Sequence, residues 1–255
     1  MNLLFLGLGN TGISIADRLS KNNNIFYYDV VKKNVAYKYL PLTKLKKSNF
    51  DYIIVTLSSI SILNRLKLCS KYNTTYDLRK YELVKNKNSL KKIINYLPNS
   101  KVIVVSNPVD DIVTFLSKNT NLDVIGFGIS LDALRYSNYF KQKINCIGLH
   151  GFSVPLKVLK SKTHFLKSYS AVDLKLFNSF KVNGINYDLV SKEFELFFNK
   201  LNSDKQNTLY LSKYISKDIL GLENISLSLP YFVKKGKVVG LKQIKLTSLE
   251  KNLLK

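Results

Sequence analysis

Leu3-Leu4-Phe5-Leu6-Gly7-Leu8-Gly9-Asn10-Thr11-Gly12-Ile13-Ser14-Ile15-Ala16-Asp17-Arg18-Leu19 is the stretch that decides the fold. An apolar run of strand length enters a G-x-G-x-x-G, and apolar residues at helical spacing follow from Ile13 to Leu19. The first glycine permits a tight turn, the second lets the main chain approach a pyrophosphate, and the third lets helix pack close to strand. The helix N-terminus adds free N–H groups and the positive end of its dipole. A second strand, Ile25 to Tyr28, ends at Asp29, 17 residues past Gly12. There a carboxylate accepts hydrogen bonds from both ribose hydroxyls and repels a 2′-phosphate, which favours NAD. The stretch thus predicts a dinucleotide site of Gly7, Gly9, Asn10, Thr11, Gly12 and Asp29, the alternative being a tight turn with no ligand. The loop does not name a reaction: it suits a 3-hydroxy acid dehydrogenase or a 6-phosphogluconate dehydrogenase equally.

Further along, Tyr52 to Leu57 and Val102 to Val105 read as buried strands. Leu90 to Leu97 and Asp110 to Leu116 read as helices on either side of the second of them. Strand, helix, strand order implies a parallel sheet with crossover helices. The second half reads as helices over Ala133 to Phe140, Ala171 to Phe180, Tyr187 to Leu201 and Thr208 to Leu220. It closes with a two-strand meander, Ile225 to Pro230 and Lys237 to Leu241, around Lys235-Gly236, and a short helix from Ser248. The expected fold is α/β: a Rossmann-type doubly wound sheet in residues 1–122, then an α+β domain in residues 123–255 that carries substrate and catalysis.

Composition narrows the function classes. Among 255 residues, 40 Lys and Arg face 17 Asp and Glu, a formal charge of +23, and such a chain binds polyanions non-specifically. Only four of the basic residues are arginine: Arg18, Arg65, Arg79 and Arg135. Readers of phosphate and base edges favour the bidentate fork of arginine, and the lysines are spread along the whole chain, so specific nucleic-acid binding is not expected. No apolar run approaches the roughly 18 residues of a membrane span. Gly7, Gly9 and Gly12 break the apolar opening before it resembles an export signal. With only Cys69 and Cys146 there is no disulfide framework, and a cytoplasmic setting is expected.

Asp132 and Arg135, three apart, project from one face of a helix, either as a surface ion pair or as parts of a site. His150 follows in Gly148-Leu149-His150-Gly151. Hydride transfer to a ketone needs a proton delivered to the developing alkoxide, which suits His. A carboxylate beside it fixes the tautomer, and an arginine grips a substrate carboxylate with two parallel hydrogen bonds. A lone loop histidine is more often structural.

The chain resembles the lactate/malate dehydrogenase family. The resemblance rests on four segments in order: Gly7 to Gly12 with Asp29; Val104-Val105-Ser106-Asn107-Pro108-Val109-Asp110; Gly126 to Arg135, containing Leu131-Asp132-Ala133-Leu134-Arg135; and Gly148-Leu149-His150-Gly151-Phe152-Ser153-Val154-Pro155. The tail adds Ile225 to Pro230 and Leu246-Thr247-Ser248-Leu249-Glu250. The resemblance implies that His150 donates the proton, Asp132 pairs with it, Arg135 binds the substrate carboxylate, and Asn107 contacts substrate and nicotinamide. It also implies a cis Asn107–Pro108 bond. The activity implied is reversible hydride transfer between NADH and a short 2-oxo acid, within carbohydrate metabolism, by a homodimer or homotetramer. The alternative is a catalytically impaired NAD-binding protein of the same fold whose basic surface binds polyanions.

The chain departs from the family in places. Thr75 stands where a mobile-loop arginine is expected, with Arg79 one helical turn on and Arg65 a weaker substitute. Leu57 to Asn64 replaces the loop on which substrate choice is read, so lactate and malate are not distinguished. Phe152 replaces an aspartate and Leu149 a glutamate, and Asp29 to Asp51 is shortened by about a helix and a strand. Thr208 falls where the family lines its substrate pocket, though a helix N-terminal threonine fits as well. His164 reads as surface and Cys146 as a small core residue. No cluster has metal-ligand spacing, so no metal is expected.

Overall fold

The structure, a computed structural model, describes residues 1–60, 64 and 75–254, with the side chains of 75–78 and 180–183 outside the description. Arg65 and Cys69 lie outside the described residues, as does the side chain of Thr75. The first half supplies β1 (Asn2–Leu6), α1 (Asn10–Leu19), β2 (Asn24–Tyr28), β3 (Lys38–Tyr39), α2 (Leu42–Leu45), β4 (Tyr52–Val55), α3 (Thr75–Ile93), β5 (Lys101–Val104), α4 (Val109–Asn119) and β6 (Val124–Gly126). These strands are parallel in the order β3-β2-β1-β4-β5-β6, the doubly wound order in which ligands sit where the strand order reverses, between β1 and β4. β6, which pairs with β5, lies just beyond residue 122.

Strand alternation sorts the core onto two faces. Leu3, Phe5, Tyr52, Ile54 and Ile103 join the cluster that contains Ile15 of α1, while Leu4, Leu6, Ile53, Val55, Val102 and Val104 join the one that contains Leu90 and Ile112. All these residues are buried, which is why the strands read as continuous apolar runs rather than alternating ones. Truncating one, as in Leu4→Ala, costs about 2–5 kcal/mol.

The second half supplies α5 (Ile129–Phe140), β7 (Cys146–Leu149), β8 (Phe152–Pro155), α6 (Lys162–Asn183), α7 (Tyr187–Asn202), β9 (Asn207–Ile215), β10 (Ile225–Lys234), β11 (Lys237–Leu241) and α8 (Ser248–Leu254). β9 lies antiparallel to β6 and continues the same sheet through β10, β7 and β8, with β11 on β10. The expected helix over Thr208 to Leu220 is therefore corrected to a strand. Nine residues of β9 pair with β10, with Leu209, Leu211, Ser212 and Ile215 buried and the rest half-buried. The meander is as expected: Lys235 and Gly236, both at positive φ, turn β10 into β11.

α7 is bound to both halves. Phe194 and Phe197 pack edge-on against Phe127 beyond β6, at 5.2 and 5.3 Å between ring centres. From α1, Ser14 Oγ donates to Tyr187 O and Arg18 Nε to Ser191 Oγ, the latter at 2.8 Å. One of the four arginines is thus spent on tying the glycine-loop helix to α7.

Candidate active site

The glycine loop turns from β1 into α1 with a separate reason for each glycine. Gly7 has φ +83°, and a Cβ there would overlap the main chain of Leu57. A Cβ on Gly12 would stand 2.8 Å from both Gly7 O and Thr56 Oγ1, so the third glycine admits the close helix–strand approach. Gly9, at φ −80°, has nothing within 4 Å of where a Cβ would go. Its freedom from a side chain therefore serves the cleft rather than the fold. Gly9 precedes α1, so the first N–H groups of the helix, beside the cleft that Gly9, Asn10 and Thr11 line, are left without a side-chain cap. Asp29 Oδ2 accepts Leu8 N–H at 2.8 Å and so aligns the loop. Gly9, Asn10, Thr11, Asp29, Ser58 and Tyr187 help line a cleft of about 590 Å³.

A second cleft of about 360 Å³ adjoins it, with Thr11, Thr56, Leu57, Ser58 and Ile185 common to both. It holds Arg79, Asn107, Arg135 and His150. The Asn107–Pro108 bond is cis, as the resemblance implied. Asn107 O accepts Asn86 Nδ2 of α3 at 2.7 Å, while the buried Asn107 Oδ1 has no partner among the described residues. A buried amide oxygen left in this way at a cleft wall suits a donor brought by a ligand, such as a carboxamide N–H.

His150 sits in the turn between β7 and β8. Its Nδ1 is 2.9 Å from Asp132 Oδ2, which also accepts Gly151 N–H at 2.7 Å; Asp132 Oδ1 accepts Arg135 Nη1 at 2.6 Å. The His150 ring packs on Gly128, where a Cβ would come within 2.7 Å of its Cγ. Arg79 Nη1 donates to His150 O at 2.8 Å. Asp132 and Arg135 are therefore parts of one cluster, with Asp132 and His150 buried and Arg135 partly exposed at the cleft, and not a surface pair.

Burial alone would raise the Asp132 carboxyl, but His150, Arg135 and Arg79 hold it well below the usual carboxylate range. Burial lowers the His150 imidazole, Asp132 pulls it back up, and the two arginines add to the lowering. With Asp132 ionised, Nδ1 carries the proton that it shares with Asp132, and Nε2 is left as the nitrogen that can exchange a proton with a ligand.

Of the residues expected at the site, His150, Arg135, Asn107 and Arg79 line the second cleft, with Asp132 buried behind them against His150 and Arg135, and Gly7, Gly9, Asn10, Thr11 and Asp29 line the first. Gly12 lies behind the loop, against Thr56. Thr208 lines neither cleft: it is on β9 opposite Phe232, within 3.4 Å of Lys242 Nζ. The wall expected of it comes instead from Gly184, Ile185, Asn186, Leu189 and Val190 at the start of α7. The Gly184-Ile185-Asn186 break before a helix was the available signal. Sequence reasoning also assigned no role to Asn86 or Asp110; the latter accepts His150 N–H at 2.6 Å.

No protein-family model matches the chain. A malate dehydrogenase of Methanosarcina acetivorans is 30% identical over 176 residues, which cover 59% of this chain and 57% of that protein. The human L-lactate dehydrogenase A-like 6B is 26% identical over 258 residues, covering 84% of this chain and 65% of that protein. The matches thus span less than two thirds of either relative. Among solved structures, the L-lactate dehydrogenase of Clostridium thermocellum superposes with a TM-score of 0.72 at 22% identity, over 99% of this chain and 94% of that one. The resemblance carried by the sequence motifs is found again over the whole fold.

Proposed function

For this divergent relative of the lactate and malate dehydrogenases, we propose NAD-dependent 2-hydroxy acid dehydrogenase activity, the reversible reduction of a short 2-oxo acid. The reading is carried by the buried His150–Asp132 pair at 2.9 Å, with Arg135 on the same carboxylate and the glycine-loop cleft adjoining. NAD fits the first cleft, where Gly9 leaves room for a pyrophosphate at the α1 N-terminus and Asp29 would accept ribose hydroxyls. It would reach into the adjoining second cleft, where Asn107 Oδ1 has no partner among the described residues. Bound as NADH it supplies the hydride.

Arg135 orients the substrate. Nη1 is held by Asp132, and the rest of its fork grips the substrate carboxylate. Protonated His150 gives the Nε2 proton to the carbonyl oxygen as the carbonyl carbon is reduced, and returns to the neutral imidazole. Asp132 stays ionised throughout and stabilises the imidazolium. Arg79, anchored on α3, brings positive charge to the developing alkoxide in place of the arginine missing at position 75. Losing such a partner costs on the order of 10²-fold in turnover. The apolar wall from Leu134, Phe177, Ile185 and Val190 excludes water from the reacting carbonyl.

The test is NADH oxidation by the purified chain with pyruvate, oxaloacetate and longer 2-oxo acids. Turnover with one of them supports the reading and names the substrate. A second reading, an NAD-binding protein that has lost this activity, is favoured by the commitment of Arg79 Nη1 to the main chain of His150. NADH binding without turnover on any 2-oxo acid would select it.

A further inference from the structure

Asp110 lies in the first turn of α4, is buried, and lines neither cleft. Its Oδ2 accepts the main-chain N–H of His150 at 2.6 Å across 40 residues of sequence. His150 is therefore held from three helices: its carbonyl by Arg79 of α3, its N–H by Asp110 of α4, and its ring by Asp132 of α5.

The turn that carries His150 needs such restraint. Gly148 at φ +103° and Gly151 at φ +90° flank it, and glycine loses more conformational freedom on ordering than any other residue. Two glycines around a proton donor would let the ring wander unless its own peptide were fixed. A buried carboxylate is also an expensive filler: an apolar side chain would pack there without the desolvation cost. Its retention beside a main-chain N–H that would otherwise be buried and unpaired points to that bond as its task. The charge at the α4 N-terminus does not require it, since Asp111 stands in the same turn.

We propose that Asp110 is a positioning residue for His150, fixing its main chain so that the ring stays aligned with the cleft. The proposal rests on the reading of His150 as proton donor. Asp110 touches neither substrate nor cofactor and acts through His150.

The test compares Asp110→Ala and Asp110→Asn with the wild-type chain. Misplacement of a catalytic group by about 1 Å costs roughly 10²-fold, so Asp110→Ala is expected to lose kcat by about that factor with NADH affinity unchanged. Asp110→Asn keeps an acceptor oxygen and is expected to restore kcat to within a few-fold of wild type. Equal kcat in Asp110→Ala and wild type would overturn the proposal, as would Asp110→Asn being no better than Asp110→Ala. His150 and His164 are the only histidines, so ¹⁵N-histidine labelling gives two main-chain amide signals. Replacing a charged acceptor by a neutral one is expected to move the His150 signal upfield in Asp110→Asn. This arm decides the matter if Asp110→Ala does not fold, and an unmoved signal overturns the proposal. A wild-type chain that turns over no 2-oxo acid defeats the dehydrogenase reading separately, and the amide signal still shows whether Asp110 holds His150.

Discussion

The guanidinium of Arg79 fills the space that a side chain on Gly151 would need, and from there donates to the carbonyl of His150 at 2.8 Å. α3 is thereby locked onto the turn that bears the proposed proton donor. Gly151→Ala would expel Arg79 and force an L-residue to φ +90°. We expect stability to fall by ~1–2 kcal/mol and turnover by roughly 10²-fold. Thermal melting and steady-state kinetics check both; a variant with wild-type turnover would show that Arg79 has no part in the reaction.

Gly9→Ala separates ligand binding from folding. The added methyl meets nothing within 4 Å, and φ −80° suits any residue, so the melting temperature should stay within a degree or two of wild type. The methyl occupies the approach to the α1 N-terminus, and NADH affinity measured by fluorescence should drop about tenfold or more, ~1.4 kcal/mol. Undiminished affinity would remove the dinucleotide from this loop.

The two buried carboxylates beside His150 act oppositely on stability. Burial pushes Asp110 up to about 6. Between that value and the unfolded carboxyl near ~4, the folded chain holds a proton that the unfolded chain has lost. The contribution of this group is thus least favourable above pH 6 and improves as the pH falls towards 4. Asp132, held low by His150 and the arginines against the effect of its burial, contributes stability above the unfolded carboxyl value and loses it in more acidic solution. Asp110→Asn should therefore stabilise the chain by ~1–3 kcal/mol at pH 8, with the gain shrinking towards pH 4. A gain that grows on acidification would contradict the assignment.

Burial lowers His150, with the arginines adding to it and Asp132 opposing. Ketone reduction needs the protonated ring, so kcat/KM for reduction should fall as pH rises through a value under the ordinary 6.5, while hydroxy acid oxidation rises over the same interval. Parallel pH profiles in the two directions would show that another group sets the proton balance.

The residues that carry local rules were legible from the sequence. The glycine loop, the buried strands β1, β4 and β5 and the Lys235-Gly236 turn each depend on a few neighbouring residues, whereas the cis bond before Pro108 was implied by the resemblance. β9 was misread because Leu209, Tyr210, Leu211, Tyr214 and Ile215 satisfy a helical period as well as a strand. What decides between them is the partner strand β10, which no local pattern reveals. The same blindness hid the wall at Gly184 to Val190 and the grip of Asp110 on His150, both made by tertiary contact between distant segments. Asp132, Arg135 and His150 were placed by their resemblance to a family; their spacing alone left a surface ion pair and a loop histidine open.

The most direct test of the central claim is NADH oxidation by the wild-type chain and by His150→Asn, side by side across a series of 2-oxo acids, with NADH binding measured on both. The account predicts turnover on at least one 2-oxo acid by the wild type, a loss of about 10²–10⁴-fold in His150→Asn, and equal NADH affinity in the two. Turnover that survives the substitution, or none in the wild type despite tight NADH binding, would contradict it.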